Sequence, residues 1–131
     1  TEVLLHRWAT EGPAMLPTLN GIFAFAIRDG RRAGRPAGIE RGDVVIARDP
    51  LGVKPLYLAE LPEGVLFASE LKALLEHPGL PRDLDIAAVS ETLAYLWTPG
   101  PRTAFAAVRK VAPGEALVVR DGRVVRRWTY A

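Results

Sequence analysis

Arg48 and Asp49 stand side by side in the segment Ala47-Arg48-Asp49-Pro50-Leu51-Gly52-Val53-Lys54-Pro55-Leu56-Tyr57. An apolar run leads into this charged pair. A turn with Pro50 and Gly52 follows, and Pro55 restarts an edge. Neighbouring side chains on a strand point to opposite faces, so these two charges cannot easily pair with each other. Each therefore needs another partner. Either they tie the turn to neighbouring strands, or the turn lines a channel or a domain interface. The residues alone favour the tie.

The other reactive side chains suggest less chemistry. His6 and His77 are the only histidines, and neither has a second ligand at helical or strand spacing, so a metal site is not expected. His77, at a helix end, suits a cap or a partner for the helix dipole. Ser69 and Ser90 are the only serines, and no Gly-x-Ser-x-Gly elbow surrounds either. Neither a Walker A loop nor a dinucleotide fingerprint is present. Thr1 raises the idea of a terminal nucleophile activated by its own amine. Such a nucleophile normally opens a strand, whereas Thr1 opens a helical pattern, which favours a helix cap or the edge of a longer chain. The stretch from Arg28 to Arg41 offers cations to phosphates. It lacks interleaved aromatics that would stack bases, and Asp29, Glu40 and Asp43 offset it, which favours a solvated insertion.

A frame must position these residues. Val3, Leu4 and Trp8 share one face of a first helix that starts at Thr1-Glu2 and ends at Gly12-Pro13. Ala14 to Leu19 is a short turn that adds Met15, Leu16 and Leu19 to the apolar side. Gly21 to Ile27 predicts a strand buried on both faces, with Ile22, Ala24 and Ala26 on one and Phe23, Phe25 and Ile27 on the other. Asp29 to Gly42 carries Arg31, Arg32, Arg35 and Arg41 among Gly34, Pro36 and Gly38, and is a loop. Asp43 to Asp49 resumes as strand. Leu56 to Glu60 and Val65 to Ser69 form a hairpin around Pro62-Glu63-Gly64. Ser69 caps a helix running to about Glu76, with Leu71, Leu74 and Leu75 inward. Asp85 caps another from Ile86 to about Leu96, with Val89, Leu93 and Leu96 apolar. Trp97 to Arg102 is a connector, and Ala104 to Ala107 a single helical turn. Glu115 to Val119 and Arg123 to Trp128 pair through the Asp121-Gly122 turn. Hairpins link the later strands, so the expected class is α+β with mainly antiparallel pairing.

Composition sets the bounds. The 131 residues, 49% hydrophobic and 24% charged, suit one ordinary globular domain. Seventeen Lys+Arg against fifteen Asp+Glu is too even for a committed nucleic-acid binder, and no nucleic acid is expected as partner. The longest uncharged apolar stretch, Gly21 to Ile27, is too short to cross a bilayer, so no membrane is expected either. The absence of cysteine removes disulfides, thiolate metal sites and a cysteine nucleophile from these residues. With no basic, apolar leader at the start, the expected compartment is the cytoplasm. A chain that begins inside a helical pattern is expected to have lost residues upstream.

Four motifs together resemble one family. Leu19-Asn20-Gly21-Ile22-Phe23-Ala24-Phe25-Ala26-Ile27-Arg28-Asp29 resembles the L-x-G-x-F-A-F-A-x-x-D run of class II glutamine amidotransferase domains. Ala47 to Tyr57 resembles their A-R-D-x-x-G-x-[KR]-P-L segment. Phe67-Ala68-Ser69-Glu70-Leu71-Lys72-Ala73-Leu74 is similar to F-A-S-E-x-K-A-L of glutamine-hydrolysing asparagine synthetases. Pro99 to Gly114, with Thr103, Phe105, Val108 and Pro113-Gly114, is similar to their P-x-T-x-F-x-x-V-x-x-x-x-P-G segment. The resemblance implies the C-terminal portion of a glutaminase domain, part of a four-layer αββα sandwich of the N-terminal-nucleophile type. Such a domain hydrolyses glutamine and sends ammonia through a tunnel to a synthetase domain. There ATP, with Mg, activates aspartate as an adenylate; no cofactor is expected on this chain itself.

The departures from the family matter too. Its nucleophile is an N-terminal cysteine, and this chain has none. The family's oxyanion-hole Asn-Gly, carboxylate-binding Arg and amine-binding Asp lie upstream of the matched residues, and Asn20-Gly21 belongs to a different motif. No catalytic or substrate-binding residue therefore carries over, and the chain alone is expected to be inactive. What carries over are Ile22, Val53 and Lys54, at positions near the ammonia tunnel mouth or the domain interface. The implied partners are the missing N-terminal glutaminase segment and the synthetase domain, in cis or as another chain; otherwise a homo-oligomer is expected. Two alternatives stay open: a non-catalytic glutaminase-like scaffold of another amide-forming enzyme, such as a β-lactam-forming one, and an independent interaction module using the Arg28 to Arg41 loop.

Overall fold

The computed structural model describes residues 2–131 and contains two antiparallel sheets and three α-helices. The readings of Thr1 fall outside the described residues. Helix α1 (Glu2–Glu11) passes at Gly12 into a 3-10 helix, Gly12–Thr18. Strands β1 (Ala24–Arg28), β2 (Val44–Arg48), β3 (Tyr57–Leu61) and β4 (Gly64–Ala68) follow, then helices α2 (Leu71–Leu75) and α3 (Ile86–Tyr95). Strands β5 (Arg109–Lys110), β6 (Glu115–Arg120) and β7 (Arg123–Thr129) complete the chain. One sheet has the order β1-β2-β6-β7 and the other β4-β3-β5, and every pairing is antiparallel. The class is α+β, as the hairpin signals predict. Among the described residues no helix is long and apolar enough to cross a membrane.

Three apolar clusters hold the elements in succession. Trp8 of α1 and Met15 and Leu16 of the 3-10 helix pack on Ile27, Val45, Ala47, Ala116 and Val118 of the four-stranded sheet. The alternate residues of that sheet, Ile46 and Leu117, turn the other way and meet Leu56, Leu58 and Val111 from the second sheet. The far side of the second sheet, with Ala59 and Leu61, packs on Leu74, Leu80 and Val108. The order through the molecule is therefore helix, sheet, sheet, helix. Leu71, Leu74 and Leu75 of α2 all join the third cluster, as their spacing predicts.

Several boundaries differ from the sequence expectations, each for a physical reason. The strands of this sheet buried on both faces are β2 and β6, not the Gly21 to Ile27 segment. That segment becomes the edge strand β1, begins only at Ala24, and leaves Ile22 at 58% exposure and Ala26 exposed. The second sheet has three strands against four in the first. Its narrower face leaves β1 half covered, with a cavity of about 160 Å³ between Ala24, Ala26, Leu56 and Phe67. Ser69 does not cap α2. The chain stays extended through Glu70, so Ser69 sits too early to reach the first free helical N–H, and no side chain caps this end. Asp85 does cap α3, accepting from the Ala88 N–H at 3.0 Å.

The apolar side of α3 is not buried: Ile86, Leu93 and Leu96 are exposed, and Ala88 is the buried residue of the helix. Periodicity marks an apolar face without saying what covers it. Ala104 to Ala107 is not a helical turn. Its backbone bonds to Asp83 and Asp85 and Phe105 bridges Leu84, so these peptide groups pair with a distant segment of the chain rather than forming a helix. Asp121 and Gly122 both adopt left-handed backbone, φ +48 and +73, the geometry that matches a two-residue hairpin turn to strand twist.

Candidate functional site

The turn after β2 is built by two charges that never meet a counter-charge. Arg48 leaves the strand on one face and donates to three carbonyls: Nε to Lys54 O at 2.7 Å, Nη1 to Val111 O at 2.5 Å and Nη2 to Gly52 O at 2.6 Å. Asp49 leaves on the other and is 1% exposed. Its Oδ1 accepts from Val53 N–H and its Oδ2 from Lys54 N–H, both at 3.0 Å. Its backbone joins the turn to two further segments. The Asp49 N–H donates to Phe23 O at 2.8 Å, and the Asp49 carbonyl accepts from Gly52 and Gly114. The Tyr130 hydroxyl donates to the Arg48 carbonyl. The opposite-face geometry read from the sequence holds, and the partners are backbone groups of the turn and its neighbours.

The electrostatics follow from burial and hydrogen bonding. Burial pushes the Asp49 carboxyl up, but backbone N–H groups, led by Val53 and Lys54, outweigh it and hold the carboxyl below its usual range. Burial, with the Asp49 charge, pushes the Tyr130 phenol up to about 12. Beside the turn lies a cleft of about 490 Å³, walled by Leu51, Gly52, Trp97 and Pro113 and carrying the cations Arg48 and Lys110. Lys110 Nζ sits 5.7 Å from the Trp97 ring centre and donates to the Thr98 carbonyl. Burial and the charge of Arg48 lower the Lys110 pKa. The cleft is therefore apolar and cationic, with no acid on its wall.

Asp49 ties the backbone next to Ile22 to that of Val53 and Lys54. Its carboxylate fixes the Val53 and Lys54 amides, and its N–H fixes the carbonyl of Phe23, the residue after Ile22. All three side chains are exposed, Ile22 at 58% and Val53 at 52%. They form surface rather than a pore within this chain. The cleft was not legible beforehand, because Trp97 and Lys110 converge only through the Pro-Gly connector and the short β5 strand.

Elsewhere the reactive side chains have local partners. His77 Nδ1 accepts from Gly79 N–H at 3.2 Å, which braces the turn beyond α2 rather than capping the helix, whose Leu74 carbonyl is met by the His77 backbone N–H. Ser90 Oγ donates to the Ile86 carbonyl within α3. Buried Thr103 lies 2.9 Å from the carbonyls of Phe105 and Val108, donates its one hydroxyl proton to either, and accepts from the Phe105 N–H, which shapes the segment before β5. Among the described residues no group of His, Asp and Glu could hold a metal ion.

Gly52 closes the turn with φ +63. A Cβ there would lie 2.8 Å from Pro113 Cγ and 3.2 Å from Arg48 Cζ. Gly52→Ala is expected to cost about 2 kcal/mol, from left-handed backbone plus displacement of Arg48. A urea titration checks it, with Leu51→Ala, at an 82% exposed neighbour, expected to stay within about 0.5 kcal/mol of the parent.

Comparison with known proteins places this arrangement. The glutamine amidotransferase domain description matches residues 1–130. Asparagine synthetase (glutamine-hydrolyzing) 3 of Bacillus subtilis is 36% identical over 133 residues, covering 99% of this chain and 20% of that protein. Asparagine synthetase (glutamine-hydrolyzing) 1 of the same organism is 34% identical, covering 99% of this chain and 19% of that protein. A putative asparagine synthetase (glutamine-hydrolyzing) of Mycobacterium bovis is 35% identical over 83% of this chain and 15% of its own length. The chain spans about a fifth of the length of the Bacillus relatives.

Proposed function

We propose that this chain, which belongs to the class II glutamine amidotransferase domain family, is part of a glutamine-hydrolysing asparagine synthetase. The observation that carries the reading is 36% identity to such an enzyme along 99% of the chain. In this reading the chain is the C-terminal portion of the glutaminase domain. The domain supplies ammonia for the ATP-dependent amidation of aspartate, in the cytoplasm, with ATP and Mg held on a separate synthetase domain. The succession helix, sheet, sheet, helix supports the four-layer sandwich of the N-terminal-nucleophile type.

The division of labour follows from the residues. Glutamine hydrolysis by this family runs through a cysteine thiolate, and the 131 residues contain no cysteine. The chain's contribution is therefore scaffold and surface. Ile22, Val53 and Lys54, on the backbone that Asp49 ties together, are the surface we assign to the ammonia path or to contact with the synthetase domain. A lysine there adds a charge that an apolar residue would not, and suits a domain contact. The exposed apolar side of α3, with Leu93 at 78% and Leu96 at 90% exposure, supports a partner on that face as well.

Glutamate release from glutamine tests the reading. The purified 131-residue chain is expected to show no turnover. The full protein encoded by the gene is expected to release glutamate and to lose that activity when its terminal cysteine is replaced by serine. Turnover by the short chain alone would overturn the reading and make Thr1 the leading nucleophile. A full protein that lacks the cysteine and releases no glutamate would instead identify a non-catalytic scaffold.

A further inference from the structure

The connection between β1 and β2 is nearly balanced in charge as sequence, and the fold undoes that balance. Its acids are taken up locally. Asp29, 2% exposed, accepts from Arg31 Nη2 at 2.6 Å and Arg31 Nε at 3.1 Å, and from Trp8 Nε1 at 2.9 Å. Asp43, 1% exposed, accepts from Arg120 Nε and Nη2 at 2.9 and 2.8 Å. Glu40 pairs with Arg120 Nη1 at 2.6 Å. Two arginines thus consume all three carboxylates. Arg28, Arg32, Arg35 and Arg41 are left with no carboxylate partner among the described residues, and so is Arg126 of β7. Arg126 lies against Gly38 of the same connection, and Arg28 faces Gly42. Of these cations only Arg35 is half-buried; the rest are exposed. A molecule with a net charge of +2 therefore gathers five unneutralised arginines at one end of a sheet.

A pocket of about 380 Å³ opens in this patch, between Arg35, Arg126, Pro36 and the end of α1. The Arg35 Nε is buried there without a hydrogen-bond partner. Two negative features border the pocket and both are already engaged. Glu11 is held by Arg7 through two hydrogen bonds, and the Ala9 carbonyl accepts from Arg31 Nη1 at 3.1 Å.

We propose that this face docks an acidic polypeptide segment, with one carboxylate side chain seated between Arg35 and Arg126. Guanidinium groups match carboxylates in a two-point geometry that ammonium groups cannot, and the patch contains only arginines. Nucleic acid fits less well. The nearby aromatic, Trp128, already has the Arg126 guanidinium over its ring at 4.6 Å, so it offers no free platform for a base.

Binding of a fluorescent oligoglutamate peptide to the full protein tests this, with duplex DNA of matched charge as the second arm. The triple variant Arg32→Gln, Arg41→Gln, Arg126→Gln removes exposed charges and leaves Arg35, whose Nη1 donates to the Arg31 carbonyl at 2.5 Å, to hold the loop. It is expected to weaken peptide binding about tenfold. A control removing Arg82, Arg102 and Arg127, which lie outside this patch, is expected to change it less than about twofold, and added salt to weaken the parent's binding. Circular dichroism melts confirm that both triples remain folded. No peptide binding, equal losses in the two triples, or tighter binding of DNA than of peptide at the same salt would each overturn the proposal.

Discussion

Replacing Asp49 by alanine is expected to destabilise the fold by about 3 kcal/mol, because the carboxylate alone satisfies two amides of the turn. The side chain is 1% exposed and makes its bonds to Val53 and Lys54 at 3.0 Å each. Hydrogen bonds to a charged group contribute about 1.5–3 kcal/mol apiece, and alanine removes both. The turn then loses the side chain that holds the Val53 and Lys54 amides. Asp49→Asn keeps one acceptor oxygen but turns a donor toward an N–H, and is expected to recover less than half of the loss. The pH dependence has a fixed sign. The folded carboxyl lies below its ordinary range, so its contribution is complete above the ordinary carboxylate pKa and disappears as pH falls through the folded value. The parent and Asp49→Ala should therefore converge in acid. Urea midpoints at neutral and acid pH check the energy. Faster amide exchange at Val53 and Lys54 checks the location, and unchanged protection there would show that the turn stands without the carboxylate.

What the sequence made legible was local. Arg48 and Asp49 diverge because strand geometry admits nothing else, and Asp121-Gly122 makes its hairpin because few residue pairs accept left-handed backbone twice. Asp85 caps α3 as its position requires, whereas the His77 side chain braces the turn after α2 instead of its end. What failed was set by neighbours that spacing does not reveal. Gly21 to Ile27 has the composition of a central strand, yet its place at the sheet edge follows from β6 and β7 lying on the other side of β2. Leu93 and Leu96 have core chemistry and exposed positions. The two-residue β5 carries no pattern of its own and exists because Tyr57 and Leu58 offer it a ladder. The charge of the Arg28 to Arg41 stretch was misleading in the same way. Its acids look available in one dimension, but Arg120, distant in sequence, takes two of them.

The clearest test of how α1 is held is Trp8→Ala, for which a loss of about 4 kcal/mol is expected. Trp8 is 3% exposed, fills the first cluster, and donates its indole N–H to Asp29 at 2.9 Å. Alanine removes the volume and the bond together. Trp8→Phe separates them, since most of the packing survives, and it is expected to cost about 1 kcal/mol. The two changes should also differ from a simple core defect in acid. Arg31 lowers the Asp29 carboxyl first of all, the Trp8 and Arg31 N–H groups lower it further, and burial opposes them, leaving it at about 2 against an ordinary 3.8. A folded pKa below the unfolded one stabilises above the unfolded value. That stabilisation, about 2 kcal/mol, is lost as pH falls from near 4 toward 2. Trp8→Phe deletes one of the bonds that lower the carboxyl, so its acid transition should move to higher pH than the parent's. Acid titrations followed by far-UV circular dichroism read this shift without relying on the indole being replaced. Urea midpoints separate the two causes, because a packing loss alone also moves the acid midpoint: if the stability gap between Trp8→Phe and the parent were the same at neutral and acid pH, the indole would act by packing alone, and Arg31 would be the sole residue holding Asp29 ionised.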